Sequence, residues 1–547
     1  MKRPIGFPLT FLRGRRLSIL FWVVTAAALV GMLLLLPRSP LPWLDETLFA
    51  STALSMVRGG APTPTVLAAF PHIIRVDLFY GPMIGFLGAL DVRLLGLSIV
   101  GWRMLGFLGA VGVVFAAAWA SEKLDRSRTA MAASAMLVAV SQGMGARATS
   151  GRLDTVTVML EMISLACVVG AMQDGAGRWA GYASFVHAAP AGVFCGLAAL
   201  STPRAFPFVL GLFAGIGVEL VLERRRELLV QGIIVGVAAL APVWWWTATQ
   251  GMTPLGWLRL IAALSSGDKL SASPILHGSW HFFDEPLVPL ASGLLFTFVM
   301  LLVLSVGLGT ARQLKDEEPQ NAEGPRVGSG VRLAVIVVVV NYAASLLTIA
   351  RFWDYEIFVV PLALPVLIAL TAKIWRGSGP RLIPRVVIVG WVVLGLVLIA
   401  IRSGKVVAWA TSYEERDPQP LQNFVSSHLP RDSRVFGPEE FYFYVVENAG
   451  AHYLFVRPRI TGGLVSKLDH DLDWREQLRE NPSVYLIWPK DDGLPRGLKA
   501  GDLRLEGSFT ARLGGEPAGW RKAGWGSGYP DTNLYRVVKV PATEKDF

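Results

Sequence analysis

Charge is scarce in this chain. Asp, Glu, Lys and Arg together supply 17% of its 547 residues, against 53% hydrophobic residues. A soluble domain carries about 25% charge, so the shortfall excludes that class. Cysteine is scarcer still. Cys167 and Cys195 both lie inside apolar runs, as small core residues, and point to neither a disulfide framework nor a metal site. Histidine is also thin. His277 and His281 have helical i,i+4 spacing, but Gly278 stands between them, and isolated histidines such as His72 read as surface residues. No zinc site is expected.

What the chain has in quantity is long apolar runs. Crossing a bilayer takes about 20 apolar residues in a helix. About eleven segments approach that length, at approximately 17–37, 94–120, 129–149, 154–173, 186–201, 204–222, 228–248, 286–310, 331–350, 355–373 and 385–402. The expected fold class is therefore an α-helical polytopic membrane protein. The basic residues before the first run resemble a signal peptide, but the run is too long and lacks a small-residue cleavage site, so it reads as a retained helix. The net charge of +10 is then a matter of topology rather than of nucleic-acid binding. Arg13, Arg15 and Arg16, then Lys123, Arg126 and Arg128, then Arg224, Arg225 and Arg226, then Lys373, Arg376, Arg381 and Arg385 all fall on one side of the alternation. That side is expected to be cytoplasmic, with the N-terminus, in a plasma (inner) membrane. The opposite, outer face receives 38–93, the junctions near 150–153 and 201–204, 249–285, 351–354 and everything after 403.

Two regions outside the spans are expected to be ordered. Asp45 to Arg58 has helical spacing and stops at Gly59-Gly60, and Phe79–Leu90, too short to span, reads as a helix lying along the membrane. From about residue 412 the charges rise and the apolar runs shorten. Residues 412–547 are expected to form a small soluble α/β domain, with a helix at Pro420–His428 and strands at Arg434–Phe436, Tyr442–Val446, Ser483–Trp488, Leu503–Phe509 and Leu534–Val540. Nothing in it resembles a nucleotide loop or a catalytic triad. Ala311–Gly330 reads as a mobile cytoplasmic loop, and Trp244-Trp245-Trp246 as an interface belt.

Candidate chemistry gathers on the outer face. Asp45 follows the first span directly and reads either as a helix cap or as a general base for an acceptor hydroxyl; Glu46 stands beside it. In Gly145-Ala-Arg-Ala-Thr-Ser-Gly-Arg-Leu-Asp154, Arg147, Arg152 and Asp154 sit at the mouth between spans three and four. They form either an interfacial ion pair or a positive site for a lipid phosphate. Arg204 in Ser201-Thr202-Pro203-Arg204 is a snorkelling arginine or a phosphate clamp. Arg351 and Tyr355 are belt residues or further phosphate ligands.

Taken in order, these motifs resemble GT-C glycosyltransferases that use a polyprenyl-phosphate sugar. The nearest groups are the dolichyl-phosphate-mannose protein mannosyltransferases and the bacterial lipid A aminoarabinose transferases. Asp45-Glu46 through Gly59-Gly60 matches the family's Asp-Glu and interfacial helix. Val76-Asp77-Leu78-Phe79-Tyr80-Gly81-Pro82 keeps the Asp and one Pro of a family Asp-Lys-Pro-Pro-Leu motif but lacks its Lys. Arg103 matches an arginine opening span two, Arg152-Leu153-Asp154 an Arg-x-Asp, Leu200-Ser-Thr-Pro-Arg204 a Leu-Thr-Lys-Gly, and Tyr355 with Pro361 loosely a Tyr-x-x-Pro. The resemblance covers roughly residues 15–375.

It implies Asp45 as general base and Asp154 as its catalytic partner in an orienting role. It implies Glu46, Asp77, Tyr80, Arg103, Arg147, Arg152, Arg204, Arg351 and Tyr355 as the substrate-binding set. The implied partners are a polyprenyl-phosphate-linked sugar, membrane lipids and a lipid, glycan or protein acceptor, with no nucleic acid. A divalent cation, Mg or Mn, is a candidate cofactor without dedicated ligands. The alternatives are a polytopic lipid or polysaccharide transporter and a non-catalytic lipid-binding scaffold of an envelope assembly complex. Against the transporter stand the absence of an inverted repeat and the few charges within spans, Glu161 and Glu219 being the main ones.

Overall fold

A computed structural model describes residues 13–38, 44–68, 75–173, 180–224, 226–265, 327–348, 357–376, 416–455, 483–490, 493–495, 498–511 and 529–538, with single positions between these ranges. The expected spans 286–310 and, apart from single positions, 385–402 lie outside them, as do most of the 311–330 loop, Arg351, Tyr355, His72, His277 and His281.

The helices in chain order are α1 (Arg13–Leu35), α2 (Leu44–Val57), α3 (Val76–Tyr80), α4 (Pro82–Leu95), α5 (Ile99–Asp125), α6 (Arg128–Val140), α7 (Gln142–Ala148), α8 (Asp154–Gln173), α9 (Ala180–Ala199), α10 (Phe206–Glu223), α11 (Arg226–Thr249), α12 (Pro254–Ser265), α13 (Val327–Thr348) and α14 (Val360–Arg376). Among the described residues, α1, α5, α8, α10 and α11 are long and apolar enough to cross a membrane; α6, α9, α13 and α14 contribute shorter apolar stretches. The protein is a multi-pass membrane protein.

Lipid offers no hydrophobic drive between helices, so close packing has to hold them together. Gly106, Gly109 and Gly112 provide it on α5, where β-carbons would run into Arg152, Thr155, Val156 and Met159 of α8 and its approach. The Thr155 hydroxyl uses the closeness to donate to the Gly106 carbonyl at 2.7 Å. At the end of the bundle away from the candidate site, Arg332 of α13 forks onto Glu219 of α10 at 2.7 Å and reaches Glu223 at 2.5 Å. Glu219 is thereby accounted for as half of an ion pair. Glu161 is different: it is fully buried in α8, two turns below Asp154, and neither of its oxygens has a hydrogen-bond partner among the described residues.

Three expectations for the helical bundle need correction. The segment 129–149 is broken: α6 ends at Val140, Ser141 turns to an extended conformation with its hydroxyl on the Val138 carbonyl, and α7 restarts at Gln142. The interfacial segment 79–90 breaks at Gly81, and α4 runs on to Leu95, so the next span begins at Ile99. On α4, Phe86, Leu90 and Leu94 are exposed at successive turns while Ile84, Gly88, Asp91 and Val92 are buried. That outward apolar stripe suits a helix lying in the interface. The tryptophan belt also divides. Trp244 and Trp245 are exposed, whereas Trp246 turns inward against Trp257, ring centroids 4.9 Å apart.

The C-terminal part forms a five-stranded sheet, β1 (Arg434–Gly437), β2 (His452–Phe455), β3 (Val484–Pro489), β4 (Leu503–Phe509) and β5 (Thr532–Val537), in the order β2-β1-β3-β5-β4. The first three strands are parallel, and β5 and β4 add antiparallel. Two helices accompany it, α15 (Gln419–His428) and α16 (Tyr442–Ala449). The expected strand Tyr442–Val446 is thus a helix. Tyr442, Phe443, Tyr444 and Val445 are all buried, and an apolar run buried on every side has no period to separate helix from strand. This layer does not stand apart from the bundle. Phe441, Tyr444 and Tyr453 share one core with Leu48, Phe49 and Trp102, and Arg38 beyond α1 donates to the Tyr413 carbonyl at 3.1 Å.

Candidate functional site

Four chain segments arrive at one end of the bundle and bring charge with them. The first turn of α2 carries Asp45, the turn leading into α8 carries Arg152 with Asp154 opening that helix, the last turn of α7 carries Arg147, and a 3-10 turn ahead of α10 carries Arg204. Asp45 and Asp154 both lie in helix first turns, where a negative charge meets the positive end of the helix dipole. Asp45 sits within that turn rather than ahead of it as a cap.

Arg152 joins the two aspartates. Its Nη1 donates to Asp45 Oδ2 at 2.7 Å, and its Nε lies 2.9 Å from Asp154 Oδ2. Arg147 stands 3.8 Å from Asp154, and Arg204 acts on Asp154 electrostatically. Three guanidiniums, those of Arg147, Arg152 and Arg204, thus gather about the Asp45 and Asp154 carboxylates. Arg152 is sealed at 1% exposure, while Asp45 is open at 24%. The ion-pair reading of Arg152 and Asp154 holds, with Asp45 as its exposed third member.

Two glycines make the convergence possible. Gly151 has a positive φ of +62°, and a β-carbon there would strike the Glu46 carboxylate and the Trp102 ring, so the turn before Arg152 lies directly on α2 and α5. Gly81, with φ +89°, passes against the Leu200 carbonyl with no room for a β-carbon. That contact sets the end of α3 beside the α9–α10 junction, and the Arg204 guanidinium lies 5.8 Å from the Tyr80 ring centre. Thr202 caps the same turn by accepting from the Arg204 backbone N–H at 3.4 Å.

The structure therefore brings together Asp45, Tyr80, Arg147, Arg152, Asp154 and Arg204. It holds Asp77, Glu46 and Arg103 in other contacts. Asp77 is gripped by Arg75 at 2.6 and 3.1 Å, and Arg75 also donates to Gln250 at 2.9 Å, which ties α3 to the end of α11. Glu46 and Arg103 form a two-bonded pair at 2.7 and 2.9 Å with no exposure on either side chain. Arg103 spends a further donor on the Leu36 carbonyl at 2.9 Å. Glu46 and Arg103 are thus bound to each other and enclosed. Trp102 was not legible as a contributor, because it meets Gly151 from far away in the sequence and no local motif marks it. Arg75 and Thr202 act on Asp77 and Arg204 two residues on, and only the bond from Arg75 to Gln250 is long-range.

A divalent cation fits this arrangement poorly. Asp45 and Asp154 share Arg152 between them, and the described residues contain no group of three or more His, Cys, Asp or Glu able to hold a metal.

With this geometry in hand, the fold can be set beside known ones. No family model matches the sequence, and no curated protein does. Among solved structures, ArnT from Cupriavidus metallidurans bound to undecaprenyl phosphate superimposes with a TM-score of 0.51 at 13% identity, over 95% of this chain and 98% of that one. The Archaeoglobus fulgidus oligosaccharyltransferase gives a TM-score of 0.46 at 13% identity over 85% of this chain and 68% of its own. Mycobacterial arabinofuranosyltransferase AftD gives 0.47 at 16% identity over 95% and 40%. The chain is a polytopic membrane protein with the GT-C-type fold that its motifs implied.

Proposed function

We propose that this protein is a membrane glycosyltransferase that moves a sugar from a polyprenyl-phosphate donor to a hydroxyl on a lipid, glycan or protein. One observation carries the reading: the partly exposed Asp45 carboxylate is linked through buried Arg152 to Asp154, with Arg147 and Arg204 beside it. A carboxylate to take the proton of an entering hydroxyl and guanidiniums to meet a leaving phosphate are the two kinds of group that such a reaction needs. The ArnT structure of the same fold holds undecaprenyl phosphate, a molecule of the leaving-group class proposed here.

In the proposed reaction Asp45 accepts the acceptor's hydroxyl proton, and the hydroxyl oxygen attacks the anomeric carbon. A new carbon–oxygen bond forms as the bond to the phosphate oxygen breaks, and the electron pair stays on the departing polyprenyl phosphate. Arg147, Arg152 and Arg204 meet that charge, and Tyr80 borders it beside Arg204. Asp154 orients Arg152. No step passes through a metal. General-base assistance is typically worth 10²–10⁴-fold, and stabilising the departing anion in a water-poor site is often the larger contribution.

We place the site, and the sheet layer above it, on the outer face of a plasma membrane. The support is the basic residues at the opposite helix ends, Lys123, Arg126 and Arg128 between α5 and α6 and Arg224 and Arg226 between α10 and α11. Arg351 and Tyr355 are proposed to complete the phosphate site.

The test is transfer from a panel of radiolabelled polyprenyl-phosphate sugars in membranes containing the wild type or Asp45→Asn. Transfer by wild type and its loss in the variant is expected. Full transfer by the variant sinks the role of Asp45. Movement of lipid across the bilayer without any transfer overturns the enzyme reading in favour of a transporter.

A further inference from the structure

The sealed Glu46–Arg103 pair does not end at the bundle. Against it stand two tyrosines of the C-terminal layer, Tyr444 from α16 and Tyr529 just ahead of β5. Their hydroxyls hydrogen-bond each other, and their rings meet edge to face, with centroids 5.4 Å apart. Both side chains are buried, both belong to the same core as Trp102, and both interact electrostatically with Arg103 and with Glu46. Burial pushes both phenols well up from their ordinary range, so each remains a neutral hydroxyl. Four polar side chains from α2, α5, α16 and the approach to β5 thus form one enclosed cluster.

A cluster of this kind is a costly way to gain stability, because taking an ion pair out of water offsets most of its attraction. What it does supply is direction. Glu46 is the residue after Asp45, so whatever fixes the Glu46 carboxylate fixes the rotation of the first turn of α2. Gly151, one residue before Arg152, rests on that same carboxylate. Both ends of the Asp45–Arg152 bond are therefore referenced to the cluster.

We propose that Tyr444 and Tyr529 are positioning residues for the transfer reaction, acting through Glu46 and Arg103 to hold Asp45 and Arg152 in register. The C-terminal layer then completes the site rather than merely covering it. The inference rests on the glycosyltransferase reading above.

The experiment compares Tyr444→Phe, Tyr529→Phe and the double variant in the full-length protein, with Tyr442→Phe as control. Tyr442 is buried on the same helix, but its hydroxyl has no hydrogen-bond partner among the described residues. Each positioning variant should lower kcat by about 10-fold, since small misplacements of reacting groups are expensive. Donor KM should stay within about twofold, and thermal unfolding in detergent should stay near wild type. The double variant should lose no more than either single one, because the two hydroxyls act as a unit. Tyr442→Phe should keep wild-type kcat. Additive losses in the double variant, a loss that appears in KM alone, or unchanged kcat in both single variants overturns the positioning role while leaving the transferase reading intact, provided that wild type transfers sugar and Asp45→Asn does not. Should wild type transfer no sugar from any donor, it is the transferase reading that fails.

Discussion

Asp45 and Glu46 are neighbours in the chain and opposites in the fold. Each is a carboxylate in the first turn of α2, and each is bound by an arginine at 2.7 Å. Yet Glu46 is closed off with Arg103, while Asp45 keeps 24% of its side chain in the open beside Arg152. The difference teaches that an acidic dipeptide at a helix start can serve two purposes at once. One side chain anchors the turn, and the anchored turn presents the other.

The largest expected break in that comparison is on the open side. Asp45→Asn keeps the size and the hydrogen-bonding oxygen but removes the base, and transfer should fall by about 10²–10⁴-fold with the folded yield unchanged. On the sealed side the effect should reverse. Glu46→Gln leaves the Arg103 charge buried without its counter-charge, costing about 3–5 kcal/mol, seen as a fall in the unfolding temperature of purified protein. Replacing both partners together, as Glu46→Leu with Arg103→Met, should recover most of that stability. A single variant as stable as wild type would show that the pair is not an anchor.

A third carboxylate sharpens the contrast because no cation among the described residues pairs with it. Asp91 on α4 is buried, its Oδ2 has no hydrogen-bond partner among the described residues, and burial pushes it up to about 6. An Asp raised in the folded state favours the fold below about pH 4, where it is neutral in both states, and that contribution is lost as the pH climbs through 6. Asp91→Asn should therefore be more stable than wild type at pH 7, by roughly 2–3 kcal/mol at most, and equal to it near pH 4. Unfolding midpoints across that range check the sign. The smallest effect is expected at Arg204. Arg204→Lys keeps the charge and loses the planar fork, so donor KM should rise by about 10-fold with a smaller change in kcat, read from donor titrations.

How much of this was legible in the residues varies with the range of the interactions. Helix α8 was visible from its leading Asp154 to its end, and α2 from its acidic start to Gly59, because local period and stop signals define both. The Arg152–Asp154 pair lies two residues apart and could be read directly. The partner of Glu46 could not, because Arg103 comes from another helix and only packing selects it. The apolar run ends at Ser141-Gln142-Gly143, a polar break that the expected span 129–149 read through, and Tyr442–Val446 became a helix because burial erased its period. The four-residue strand His452–Phe455, two residues past the left-handed turn at Gly450, was not anticipated.

The sharing of one core between α2 and the C-terminal sheet has a consequence for biosynthesis. The helix that bears Asp45 emerges from the ribosome long before its last contacts exist. Arg103 arrives one helix pair later, but Tyr444 and Tyr529 are added only when nearly all of the described chain has been made. A protein assembled in this order inserts its helices first and, on the proposal above, finishes the Asp45 site last. Chains halted before the sheet should accumulate in the membrane as inserted, inactive intermediates and fall to quality-control proteases.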